Sequence, residues 1–464
     1  MSRLLLCLLG ILLVIQVRGD GYFPFPKDWP QDRLMAIVLF HTGVLAALIF
    51  SMAYFLITGR RTAPLAVPER LHPTLPVLAS VGALGAIVGL HLLQADYFRY
   101  AGYRLEIPVM ATFFFLALIP LAAYGAYAFR RKAHAPHRFL LSVLASALLI
   151  KMIPLALFPV TAQRSDMLPI LREGALRLFH GENPYQYALL DNGVLTPNVR
   201  LPGLMMAYLP AAVSGVDLRW TTLFFEAATF LLLIRILKPH WERMDRPWDA
   251  GCALASFLLL PYWHYRHELY EAPFWFLLFL TLLALERGRL WMVALGLGTM
   301  MGTHQWGWLF APLLLAGLSR SRGWKAAGWC AAGALACGGV LLGMGIGSHV
   351  SEFQEHVFGT YRRILQDGLY PMSMYLTPHV LALGLPGERL PLLWLLHIPV
   401  LALARRYGFR TDALCGILAL SLTVQLLFNP VAWTYQYLLV VFLLILGLFF
   451  QSVGTADPAA RRTG

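Results

Sequence analysis

Runs of leucine, alanine, phenylalanine and valine recur along this 464-residue chain, separated by short polar stretches rich in arginine. A bilayer hydrocarbon core of about 30 Å needs about 20 helical residues per crossing. On that measure the pattern predicts helices over residues 34–58, 75–95, 107–129, 139–160, 219–237, 272–286, 324–346, 390–404 and 411–428, and a last one beyond the loop 429–437. Residues 201–217 are short enough for either a crossing or a re-entrant helix. Between Arg289 and Arg320 the chain must leave and return, so the polar break Thr303, His304, Gln305 marks the tip of two short helices. Continuous Leu and Ala runs, without alternation of period two, disfavour a membrane barrel.

Composition supports an all-helical, polytopic membrane protein. With 58% hydrophobic and 13% charged residues, the chain has too little polar surface to coat a soluble globule. The net charge of +13 would suit nucleic acid, but the arginines sit in compact clusters at helix ends, where they act as topology signals and headgroup contacts. The five cysteines lie scattered in or beside apolar segments, which argues against a disulfide framework or zinc site. Residues 1–17 carry a basic residue and an apolar core but no small-residue cleavage pattern, and are expected to form an uncleaved first helix. No internal repeat of fixed period is present. The basic linker 129–138 divides the chain into N-terminal helices (1–130), a main transmembrane domain (131–455) and a cytoplasmic tail (456–464).

Basic residues collect on the cytoplasmic side of a span. Arg60 and Arg61, Arg70, and Arg130, Arg131 and Lys132 therefore fix three cytoplasmic ends, and the helix at 139–160 must deliver Asp166 to the external face. Lys238, Arg243 and Arg246, then Arg287 and Arg289, lie inside, which puts the loop 264–273 outside. A large external loop, 347–371, and an apolar surface helix, 372–386, precede the cytoplasmic Arg405, Arg406 and Arg410. The final helix leaves Arg461 and Arg462 inside. Two ionisable residues, Lys151 and Glu226, fall within spans, where a charge faces a partner or a cavity, so they are expected to pair with each other or to line a groove for the lipid carrier.

The polar island at residues 164–186, RSDMLPILREGALRLFHGENPYQ, interrupts this apolar chain. Steps of seven, four and three place Asp166, Glu173, Arg177 and His180 on one helical face, with Leu168, Leu171, Ala175 and Leu178 on the other. An ordinary interfacial helix would show the same pattern, with Glu173 and Arg177 as a weak surface pair. A carboxylate directly after a membrane exit, followed by the turn Gly181, Glu182, Asn183, Pro184, Tyr185, points beyond that to chemistry at the surface.

The order of these features, with the proline-bounded apolar stretch from Leu201, Pro202 and Gly203 to Pro210, resembles the first external loop of integral-membrane GT-C glycosyltransferases. More narrowly it is similar to the polyprenol-phosphate-mannose-dependent mannosyltransferases and their arabinofuranosyltransferase relatives, over about residues 139–450. The resemblance implies a GT-C-like fold and transfer of a hexose, mannose-like, from a polyprenyl-phosphate sugar to a lipid or glycan acceptor on the external face. It makes Asp166 the catalytic base. Arg164, Arg172, Arg177, Arg200, His304, Arg362 and Arg363 are the candidate ligands of the donor phosphate, since guanidinium forks match phosphate oxygens. Glu173, Tyr185, His267, Glu268 and Glu271 are the candidate acceptor ligands. The spacing of His267, Glu268 and Glu271 is no recognised metal motif, and neither a metal nor another cofactor is assigned. The implied partners are the lipid-linked donor, the acceptor and membrane lipids, without nucleic acid. The excess of Arg over Lys suggests a GC-rich bacterial genome, hence an inner (plasma) membrane with the site facing the periplasm or exterior. The sequence departs from the family in its helices before residue 130, and in placing His304 and Gln305 where relatives often carry a lysine; His304 there either donates to the phosphate or caps the helix break. A secondary transporter or lipid flippase is the alternative, for which paired repeats would be expected.

Overall fold

A computed structural model describes residues 8–12, 31–58, 107–131, 136–157, 160–162, 166–238, 253–255, 257–258, 270–347, 349–359, 395–408, 410–429 and 436–456. The described chain is all-helical apart from one two-stranded ribbon. The helices are α1 (Gln31–Thr58), α2 (Ile107–Arg131), α3 (Pro136–Leu157), α4 (Met167–His180), α5 (Pro202–Ser214), α6 (Arg219–Leu237), α7 (Ala272–Glu286), α8 (Leu290–Thr303), α9 (Gln305–Arg322) and α10 (Trp324–Ile346). A short α11 (Val350–Phe353) runs into the π-helical turn Gln354–Gly359, and α12 (His397–Tyr407), α13 (Thr411–Leu427) and α14 (Tyr437–Ala456) follow. The expected helices at 75–95 and 372–386 lie outside the described residues.

Element boundaries follow local chemistry. Pro136 opens α3, where its missing N–H would have had no intrahelical partner and its fixed φ already suits a helix. The amphipathic α4 occupies the span its apolar spacing predicts, and stops at Gly181, whose φ of 72° is left-handed. There the Glu182 amide donates to the Arg177 carbonyl at 2.8 Å. The ambiguous stretch at 201–217 contains a helix of 13 residues, α5, about 20 Å long. That is short of a hydrocarbon core of about 30 Å.

Two layers result. The first is a bundle in which α2 pairs with α3, α3 with α6, α6 with α7, α7 with α8, and α8 with α10. The other flank of this bundle is made by α9, α12, α13, α14 and α1. Its core is one continuous apolar cluster that includes Leu56, Phe139, Phe230, Phe257, Trp275 and Phe442. Close approach of α8 to α10 depends on Gly298, where an added Cβ would come within 2.6 Å of the Ala334 carbonyl oxygen. The N-terminal α1 docks on the C-terminal α13, and Arg410 donates to the Leu56 carbonyl at 3.3 Å. Within the bundle the Lys151 ammonium of α3 meets the Glu226 carboxylate of α6, both buried.

The second layer is α4 and α5 with the loop between them. Leu168, Leu171 and Ala175 of α4 bury against Leu204, Met205 and Tyr208 of α5, in a cluster distinct from the bundle core. The ribbon pairs β1 (Ala188–Leu189) with β2 (Leu195–Thr196), antiparallel, with Leu189 opposite Leu195. At its turn the Asp191 carboxylate accepts from the Ala162 amide at 2.7 Å, and the Asn192 amide donates to the Ala162 carbonyl at 3.2 Å. The chain just before Asp166 is thereby tied to the ribbon.

Large apolar side chains stand exposed on the outer faces of several bundle helices. They include Phe40 on α1, Phe115 and Ile119 on α2, Phe224 and Leu231 on α6, Trp291 and Leu295 on α8, and Trp329, Val340 and Met344 on α10. Residues 39–58 and 324–346 form helices long and apolar enough, by length and composition, to cross a membrane.

Candidate functional site

Asp166 precedes the first turn of α4. Its carbonyl accepts the Ile170 amide at 3.0 Å, while its side chain, exposed, makes no capping bond and no other hydrogen bond among the described residues. The positive end of the helix dipole lies beside it, which favours a carboxylate at this position. The apolar stripe beneath fixes α4 on α5, so the position of Asp166 is set by packing and by the clasp at Ala162.

The polar face of α4 is largely structural in its contacts. Arg177 donates to Glu173 at 2.9 Å and to the Gln186 carbonyl at 2.8 Å, so one guanidinium holds both its own helix and the returning loop. Arg172 is exposed. Tyr185 is fully buried and meets Phe353 edge-on at 5.1 Å, and its hydroxyl has no hydrogen-bond partner among the described residues. Burial pushes its phenol well above the usual range. The neighbouring Tyr187 ring meets the buried His356 at 4.3 Å.

Beyond the ribbon the loop turns inward and delivers Arg200. The buried Asn198 directs this turn: its Nδ2 donates to the Pro184 carbonyl at 2.9 Å and its Oδ1 accepts from the Arg200 amide at 3.0 Å. Gln305 reaches back from the start of α9 and donates to the Val199 carbonyl at 3.0 Å. Gly203 completes the seam, because a Cβ there would lie 2.8 Å from the Gly302 carbonyl oxygen. The Arg200 guanidinium lies over the Tyr270 ring, 3.9 Å from its centroid, a cation–π contact.

Glu271 follows Tyr270 and stands at the start of α7. It is 1% exposed, and neither carboxyl oxygen has a hydrogen-bond partner among the described residues. Burial pushes its carboxyl up to about 8, against the opposing pull of Arg200. Across the seam the ring of Phe274, in the first turn of α7, packs 5.2 Å from that of His304. His304 Nδ1 accepts the Trp306 amide at 3.2 Å, which leaves the ring proton of the neutral imidazole on Nε2. Burial first, then the charge of Arg200, lowers His304 to about 3, so it is neutral at physiological pH.

Three of the sequence-derived residues thus converge: Arg200, Glu271 and His304, from three separated segments. Among the described residues, Asp166, Arg172, Glu173, Arg177 and Tyr185 make no direct contact with this group, and Arg164, His267, Glu268, Arg362 and Arg363 lie outside the described residues. Sequence reasoning missed Asn198, Tyr270 and His356. Asn198 carries a local signal, an Asn two residues before the amide it caps, whereas the pairing of Tyr270 with Arg200 has none. No family model, curated protein or solved structure matches the chain.

Proposed function

We propose that this chain is a polytopic membrane glycosyltransferase of the GT-C type, which moves a mannose-like hexose from a polyprenyl phosphate to a lipid or glycan acceptor at the external face. The observation that carries the reading is the ordered polar layer over the bundle. One loop supplies an exposed carboxylate, Asp166, and also a cation, Arg200, set against the break at His304. The exposed apolar side chains on α1, α2, α6, α8 and α10 support membrane embedding, because a soluble protein rarely leaves such faces bare. The arginine clusters support the orientation, with the layer facing the periplasm or exterior of a bacterial inner membrane.

In this reaction the acceptor hydroxyl oxygen attacks the anomeric carbon. The bond from that carbon to the phosphate oxygen breaks, and the polyprenyl phosphate departs with the bonding pair. Asp166 takes the acceptor proton, which is general-base catalysis. Arg200 and His304 stabilise the charge that develops on the leaving phosphate. Displacement from the opposite side inverts the anomeric configuration.

Transfer from a polyprenyl-phosphate hexose by purified protein in lipid nanodiscs tests the reading. Asp166→Asn is expected to lower turnover by about 10²- to 10⁴-fold, the usual contribution of a general base, with its thermal midpoint unchanged. Full transfer by folded Asp166→Asn would remove the role. Lipid-linked glycan profiles of a deletion strain would name donor and acceptor together.

A further inference from the structure

Glu271 poses a physical problem that the transfer mechanism does not use. A carboxylate buried to 1% exposure, without a hydrogen bond among the described residues, is strongly penalised if it stays charged. The neutral acid is the tolerable form, and its O–H then needs an acceptor. The described groups around it supply none that it uses. Arg200 is a cation, and His304 Nδ1 is already occupied by the Trp306 amide, which leaves an Nε2–H donor. Tyr208 on α5 binds Thr222 of α6 at 2.7 Å, Glu226 of α6 meets Lys151, and the ring of Tyr270 lies beneath Arg200. A guanidinium, an imidazole N–H and a carboxyl O–H at one seam make a site of donors, and a group of donors fits an anionic oxygen.

We propose that Glu271 is a proton-carrying ligand of the lipid phosphate, its neutral carboxyl donating a hydrogen bond to a phosphate oxygen held beside Arg200 and His304. The oxyanion class follows from the donors; that it is the phosphate of a prenyl chain rests on the transferase reading. A neutral acid adds a donor here without adding the repulsion that a carboxylate would exert on the phosphate. Deprotonation reverses this and expels the ligand. The site therefore binds the departing polyprenyl phosphate tightly at neutral pH and weakly in base.

Binding of a short-chain prenyl phosphate to the full-length protein in nanodiscs, compared at pH 7 and pH 9, tests this. Both values lie above the second ionisation of a phosphate monoester, at about pH 6, so the ligand's charge is constant. With the carboxyl titrating at about 8, the competent fraction falls about tenfold between them, and affinity falls with it. Glu271→Gln keeps a donor that does not titrate, and is expected to retain the pH 7 affinity at both values. A wild-type affinity that does not change, or a Glu271→Gln protein with the same tenfold loss, would overturn the proposal. Should Glu271→Gln not fold, the infrared band of a protonated carboxyl in the wild type decides: a shift on adding prenyl phosphate supports the contact, and an unmoved band overturns it. Inorganic phosphate is the second arm. Competition by it assigns the site to the free anion, and failure to compete assigns it to the lipid; both retain the donor role of Glu271. The measurement needs no turnover. A protein with this pH signature but no sugar transfer refutes the transferase alone, and a transferase without the signature refutes the Glu271 contact alone.

Discussion

Two buried glutamates on neighbouring helices have opposite surroundings. Glu226, in the middle of α6, meets the Lys151 ammonium of α3 inside the bundle. Glu271, at the head of α7, has no hydrogen-bond partner among the described residues and only the field of Arg200 to offset its burial. The first arrangement is closed: each charge answers the other, and the pair fixes the register of two helices. The second is open, its desolvation offset among the described residues only in part, by Arg200. A residue kept in the second state points to a ligand, whereas one in the first points to assembly.

The largest test of this contrast breaks the closed pair. Lys151→Met leaves Glu226 buried without its ammonium and is expected to cost roughly 3–5 kcal/mol of stability, read as thermal unfolding in detergent. Lys151→Met combined with Glu226→Leu should restore most of it, since a well-packed apolar pair replaces an ion pair at little cost. A double variant as unstable as the single one would deny that the pair is self-contained.

The open site is sharpened by pH. Glu271 titrates at about 8 in the fold against 4.5 ordinarily, so the folded state holds an extra proton between those values and stability falls as pH rises. His304, lowered to about 3 from 6.5, acts in the opposite direction, adding stability as pH rises from about 3 and levelling off about a unit above 6.5. Between pH 6.5 and 8 Glu271 contributes a loss of roughly 1.5 kcal/mol, which exceeds the small remaining gain from His304. The difference between wild type and Glu271→Gln isolates the term, and the variant should lack that slope. Equal slopes in the two proteins would remove the unusual carboxyl.

The smallest effect belongs to the surface pair on α4. Glu173 is partly exposed, and Glu173→Gln should change stability by roughly 0–1 kcal/mol. Arg177→Ala should cost more than Glu173→Gln, because it also releases the Gln186 carbonyl. Equal losses in the two variants would show that the loop clasp contributes nothing.

Much of the frame was legible in the chain itself. Apolar runs, prolines and glycines act over a few residues, and they set α1, α2, α6, α7, α10 and α13 close to where the pattern predicts them, along with the amphipathic α4 and the break at His304. The same local logic offered two fates for Lys151 and Glu226, a pair with each other or the lining of a lipid groove, and the fold chose the pair across 75 positions of sequence. The 13-residue α5 was ambiguous because a short apolar stretch has the same pattern whether it crosses a membrane or caps a bundle. Its packing beneath α4 and against α8 and α10 places it in the second layer.

The candidate site divides in the same way. Sequence alone determined that a carboxylate, arginines and a polar break exist, since charge in an apolar chain is conspicuous wherever it falls. Only the tertiary structure decided which of them meet. Arg177 is engaged by its own loop, while Arg200 crosses to Tyr270 and the seam at His304. Burial turns Glu271 from one more acid in a polar stretch into a carboxyl pushed up to about 8, without a hydrogen-bond partner among the described residues. The reason is physical: helix formation and capping are encoded by near neighbours, whereas desolvation and electrostatic fields are sums over everything that packs around a group, and so exist only once the chain has folded.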